Sequence, residues 1–126
     1  MSPRLFVAVY VSQLGAMANY YKRVFGEDSV QFEGDEVLSL RMDEEIELFI
    51  QVVAEGSVFA ELIGKQSIGV GLSPERYALL VSSLPDEIPV ALETWTGGPA
   101  VDEGFMLVDP EGNHLMLLPT QQAAMV

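Results

Sequence analysis

Apolar and polar residues alternate along the chain with a period that changes several times, and the changes mark out its elements. From Arg4 to Val11, the apolar Val7, Val9 and Val11 alternate with Phe6, Ala8 and Tyr10, which predicts a strand whose two apolar faces serve different purposes. The spacing turns helical from Gln13 to Phe25, where Leu14, Met17, Tyr21 and Val24 fall on one stripe. Ser12 is suited to cap the start of this helix and Gly26 to follow its end. Three short strands come next, Ser29 to Phe32, Val37 to Arg41 and Ile46 to Val53, divided by the turn signals Gly34-Asp35 and Asp43-Glu44. Their acidic hairpin tips fit solvated turns that discourage edge pairing.

The same order then recurs. Residues Ala54 to Gln66 read as a linker that touches the core through Val58, Phe59, Ala60, Leu62 and Ile63. Ser67 to Leu72 alternates as a strand, and Ser73-Pro74-Glu75 starts a second helix with Tyr77, Leu80, Val81 and Leu84 as its predicted buried stripe. Val90 to Thr96, Phe105 to Val108 and His114 to Leu118 complete the strands, with a turn at Gly97-Gly98-Pro99. Asp109 and Pro110 start the last reversal, where Gly112 and Asn113 tolerate positive φ. The expected class is therefore α+β: one domain, residues 1–126, made of two β-α-β-β-β modules, about 4–53 and 67–118, joined by linker 54–66. Internal duplication explains the pattern, because neither half alone covers its sheet.

Composition narrows the chemistry. The absence of cysteine excludes disulfides, thiolate metal sites and a thiol nucleophile. No apolar run approaches the roughly 20 residues of a membrane span, and the start of the chain lacks a signal peptide's pattern, so a soluble cytoplasmic protein is expected. Nineteen acidic against six basic side chains give a net charge of −13, which argues against nucleic acid or an anionic membrane as partner. A cationic ligand is compatible with that charge, as is simple solubility. His114 is the sole imidazole, so a Ser-His-Asp triad would have to use it, and nothing marks a serine partner.

Two stretches carry a family resemblance. Phe6 to Gly26, with Tyr20-Tyr21 and the closing Phe25-Gly26, resembles the first strand and helix of the vicinal oxygen chelate superfamily, and Asp109-Pro110-Glu111-Gly112-Asn113 resembles the turn before its final strand. That group contains glyoxalase I, extradiol dioxygenases, and fosfomycin and bleomycin resistance proteins. The resemblance implies curved mixed sheets closing into a cup, with the helices outside. Metal-dependent members line the cup with His and Glu, and carrying their ligand positions over reaches Phe6, the neighbourhood of Glu47, Ser67 or Ile68, and Met116. A divalent site needs three or four converging N or O donors, and Glu47 alone does not supply them, while the Met116 thioether suits only soft metals. Neither a metal nor a cofactor is therefore expected.

Period-two alternation assigns the cup lining. Phe6, Ala8 and Tyr10 fall there if the valines face the helix, together with Glu47, Phe49 and Gln51, with Ser67, Gly69 and Gly71, and with His114, Met116 and Leu118. Such a mostly apolar lining with a few polar groups suits a small molecule. Trp95, beside Gly97-Gly98, is placed to stack on a flat or cationic ligand. The candidate ligand-binding residues are thus Phe6, Tyr10, Glu47, Phe49, Gln51, Trp95, His114 and Met116, each with core or interface packing as the plainer alternative. The expected function is metal-independent small-molecule binding of the glyoxalase/bleomycin-resistance type, by a homodimer that sequesters a hydrophobic or cationic ligand. One alternative is an enzyme of the same superfamily, a lyase, isomerase or dioxygenase, with a displaced metal site around Glu47 and His114 or with Glu47 as general base. Another is a subunit whose cup is filled by its own side chains.

Overall fold

The computed structural model describes residues 5–85, 90–91 and 104–120. The first half contains β1 (Leu5–Val11), α1 (Gly15–Phe25), a 3-10 turn (Glu27–Ser29), β2 (Val30–Glu33), β3 (Val37–Asp43) and β4 (Ile46–Val52). A second 3-10 turn (Val58–Leu62) leads to β5 (Ser67–Leu72), α2 (Pro74–Ser83), β6 (Val90–Ala91), β7 (Phe105–Val108) and β8 (His114–Pro119). Two mixed four-stranded sheets result, ordered β1-β4-β3-β2 and β5-β8-β7-β6. In each, the first strand runs parallel to the last and the other neighbours are antiparallel. This is an α+β architecture with the same order in both halves.

Alternation sorts the faces of β1 as predicted. Val7, Val9 and Val11 are buried, whereas Phe6 on the other face is 57% exposed. The buried face of the first sheet adds Leu38, Leu40, Met42, Leu48 and Ile50, on which Met17, Tyr21 and Val24 of α1 are buried too. Val70, Leu72, Leu80, Phe105, Leu107, Leu115 and Leu117 from the second half belong to the same apolar cluster. One continuous core therefore serves both sheets.

Several local expectations need correction. Helix α1 starts at Gly15, two residues later than the spacing implied, and Leu14 rather than Ser12 precedes it without a side-chain cap. The hydroxyl of Ser12 is instead engaged by Glu111. Ser29 closes a 3-10 turn and does not begin β2. On α2, Leu80 is buried but Val81 is 48% exposed, because the buried stripe follows Tyr77, Leu80 and Leu84. The Ser73 cap is as expected, its Oγ accepting from the Arg76 N–H. The linker's apolar patch does not enter the core: Val58 is 78% exposed, and Phe59 and Leu62 are exposed as well. The predicted turn at Gly97-Gly98-Pro99, and all of the strand Val90 to Thr96 beyond Ala91, lie outside the described residues.

Polar contacts bind the halves together reciprocally. After β1, Ser12 donates its N–H and Oγ–H to the two carboxylate oxygens of Glu111, at 2.9 and 2.6 Å. After β5, Ser73 does the same to Asp43, at 2.6 and 3.2 Å. Each serine thus holds the carboxylate at the tip of the other half's last hairpin. Arg76 adds a bond from its guanidinium to the Met42 carbonyl at 2.7 Å; burial lowers its pKa from the usual arginine value, and nearby Asp43 opposes that shift.

The Asp109 turn is densely bonded among the described residues. Its carboxylate, 4% exposed, accepts from the N–H groups of Glu111 and Asn113, from Asn113 Nδ2 and from the Tyr21 hydroxyl at 2.7 Å. Asn113 Oδ1 in turn accepts from the Gly64 N–H and from Gln66 Nε2, both at 2.8 Å. The Gln66 side chain completes the chain of bonds by taking the Tyr10 N–H and giving to the Tyr10 carbonyl, so it stands in for a strand along the free edge of β1. Gly64 is required here: its φ is +78°, and a Cβ would sit 2.7 Å from the Glu111 carbonyl oxygen.

Removing the carboxylate orphans several buried donors at once. Asp109→Ala is expected to lower unfolding stability by about 3 kcal/mol or more in urea titrations, and Tyr21→Phe by about 2 kcal/mol. Burial first, then the charge of Asp109, raises the Tyr21 pKa far above the ordinary 10.0. The neutral phenol's contribution is therefore intact below pH 10 and is lost as the pH rises further, because the unfolded chain ionises first. Stability measured from pH 9 to 11 should fall less steeply in Tyr21→Phe than in the wild type.

Candidate functional site

The open face of the first sheet is built from the residues that β1, β3 and β4 turn away from the core. The β1–β4 register sets Phe6 beside Glu47, Ala8 beside Phe49 and Tyr10 beside Gln51. Phe6 and Phe49 stack with ring centroids 5.3 Å apart, Phe6 exposed and Phe49 half-buried. Tyr10 stacks on Phe59 at 4.8 Å. Five of the eight predicted site residues, Phe6, Tyr10, Glu47, Phe49 and Gln51, thus share one sheet face.

Glu47 is half-buried, and its Oε2 accepts from the Ser39 hydroxyl at 2.6 Å. The second carboxylate oxygen makes no hydrogen bond among the described residues. Arg41 lies directly across β3 from Glu47 in the register, and Ser39 across from Phe49. The face therefore offers aromatic surface around a fixed carboxylate. Gln51 is less available, since its Nε2 donates to the carbonyls of Val52 and Glu36.

His114 and Met116 lie on β8 in the second sheet, two residues apart and on the same face. Ser67 pairs with His114 and Gly69 with Met116, while Met106 of β7 stands opposite Met116. His114 is exposed and Met116 is 9% exposed. Trp95 lies outside the described residues.

Three participants escaped the sequence reading. Ser39 was legible in principle, since it shares the parity of Val37 and Arg41, opposite to that of the core residues Leu38, Leu40 and Met42, though it is itself only 3% exposed. Met106 follows by the same parity from Phe105 and Leu107. Phe59 carried no signal, because a linker residue's partner depends on where the linker runs.

Among the described residues, no group of three or more His, Asp or Glu is placed to hold a metal. No helix among them is long and apolar enough to cross a membrane. A cleft of about 480 Å³ lies elsewhere, between the end of α1, β3 and α2, where Arg41, Asp43, Glu44, Arg76 and Leu79 line it. It includes none of the eight predicted residues, and its Asp43 and Arg76 are already bonded within the fold.

Replacing Ser39 isolates the role of its hydroxyl. Ser39→Ala should cost about 1.5 kcal/mol, the loss of one bond to a charged group, and leave the circular dichroism spectrum unchanged.

No protein-family model matches the sequence, and a search of curated proteins finds no match. Solved structures do match in shape. The bleomycin-binding protein from bleomycin-producing Streptomyces verticillus, complexed with copper(II)-bleomycin, superposes with a TM-score of 0.64 at 11% identity, covering 92% of this chain and 94% of that one. A glyoxalase/bleomycin resistance protein from Catenulispora acidiphila gives 0.64 at 17% identity, over 95% and 100%. A lactoylglutathione lyase from Agrobacterium tumefaciens gives 0.60 at 17% identity, over 94% of each chain. The two mixed sheets of this chain therefore have the fold of the vicinal oxygen chelate superfamily.

Proposed function

We propose that this chain binds a small hydrophobic or cationic molecule on the open sheet faces without help from a divalent metal. The observation that carries the reading is the first sheet's open face, where the Phe6–Phe49 stack lies beside a carboxylate fixed by Ser39. Stacked rings present flat apolar area, and a neighbouring carboxylate favours a cation over a neutral ligand. The net charge of −13 acts in the same direction at longer range. Structural neighbours that bind bleomycin lend support.

A homodimer in the cytoplasm is part of the proposal. Leu5, Phe6 and Phe32 are large apolar side chains left exposed, and pairing of subunits would cover such surface. The enzymatic alternative draws on the same carboxylate: Glu47 with one bonded and one unengaged oxygen is a candidate base.

Thermal unfolding with a panel of planar aromatic cations tests binding. At least one compound should raise the midpoint in the wild type, and Phe49→Ala should weaken its binding at least tenfold. Unchanged midpoints across the panel would overturn the reading. Glu47→Gln separates the two versions: loss of affinity supports a counter-ion, whereas retained affinity with loss of a turnover measured in parallel supports a base.

A further inference from the structure

We infer that Met106, Met116 and His114 form a site for a soft monovalent cation, Cu(I) or its chemical analogue Ag(I), on the open face of the second sheet. The β7–β8 ladder sets the geometry. The Asp109 N–H bonds to the Asn113 carbonyl at 3.0 Å, so Asp109 and Asn113 are a hydrogen-bonded pair. Alternation along the antiparallel register makes Leu107 and Leu115 the next such pair, and Met106 and Met116 a non-hydrogen-bonded one. Side chains approach closest at those positions, with Cβ atoms about 4.5–5.5 Å apart. Two flexible thioethers are therefore set side by side on one face.

His114 supplies the third donor. It shares the face of Met116, because the two are separated by one residue on the same strand. No hydrogen bond from either imidazole nitrogen is found among the described residues. On the other flank of Met116 stands Gly69, where an added Cβ would meet nothing within 4 Å. Space for an ion is thus left beside the sulfur by a missing side chain. The three donors are graded in depth, with Met116 buried, Met106 half-buried and His114 exposed, so an ion would enter past the imidazole and come to rest between the sulfurs.

Thioether and imidazole donors select for soft cations and discriminate against Mg(II), Ca(II) and Mn(II), which demand oxygen. The absence of cysteine removes stronger soft ligands that would otherwise compete. Of the remaining methionines, Met17 and Met42 are buried in the apolar core, and Met1 and Met125 lie outside the described residues. The site shares His114 and Met116 with the proposed ligand face but does not rest on that reading, since it requires no organic ligand.

Native mass spectrometry of the full chain titrated with Ag(I) tests the site, with Zn(II) as the control ion. One tightly held silver per chain is expected, with no comparable zinc adduct. Met→Leu changes keep volume and are tolerated in cores. Met106→Leu and Met116→Leu should each weaken silver binding at least tenfold, and the double variant should abolish the one-to-one adduct while its unfolding midpoint without metal stays near that of the wild type. In spectra of methyl-labelled methionine, two of the six signals should move on adding silver. Silver uptake unaltered in the double variant, no tight adduct in the wild type, or equal movement of other methionine signals would overturn the inference.

Discussion

Asp109 sets the condition that the rest of the structure meets. A carboxylate so far removed from water is tolerable only when its oxygens are surrounded by donors. The chain supplies them from three directions: the turn's own amides, the amide of Asn113 and a phenol from α1. Because Tyr21 belongs to the first half and Asp109 to the second, satisfying this group fixes how the halves meet. Asn113 then passes the constraint to Gly64 and Gln66, and Gln66 to the edge of β1. The serine clasps repeat the principle in both directions, Ser12 of the first half holding Glu111 of the second and Ser73 of the second holding Asp43 of the first. Each half therefore finishes its polar bonding only in the presence of the other.

Much of this architecture was legible as pattern. Alternation in β1 separated Val7, Val9 and Val11 from Phe6 and Tyr10, and the helical stripe containing Met17, Tyr21 and Val24 pointed inward as read. These outcomes depend on period, which burial enforces. The errors arose where a residue had a second use for its polar or apolar group. Ser12 looked like a cap, but its hydroxyl serves a glutamate 99 positions away, and local capping rules have no access to such a partner. Val81 fits a helical stripe equally well on paper, yet the helix axis relative to the sheet leaves it in solvent. The Asp109 turn was read as a hairpin reversal and a mark of the family, but its bonds to Ser12, Tyr21, Gly64 and Gln66 lie beyond the hairpin and leave no local trace in the sequence.

The candidate site was partly legible for the same reason. Parity along β1 and β4 gathered five residues on one face, and parity along β8 placed His114 with Met116. What could not be read was the identity of neighbours supplied by other strands or loops. Ser39 holds Glu47 because β3 and β4 are in a register that only pairing defines, and Phe59 reaches Tyr10 because the linker doubles back over β1. Open-face chemistry in this fold is a product of register, and register is a property of two strands at once.

One consequence concerns how this chain responds to its solvent. Asp43, Glu47, Asp109 and Glu111 are held by hydroxyls, backbone amides, a side-chain amide and a phenol, all of them uncharged donors. Bonds of that kind are not attractions between opposite charges, and dissolved ions do little to screen them. The mutual repulsion of a chain with a net charge of −13 is screened strongly. Ionic strength therefore relieves that repulsion and spares the bonds to these four carboxylates, at the cost only of screening such charge pairs as Lys22–Glu33 and Arg76–Asp43, and the clasps between the halves hold in brine.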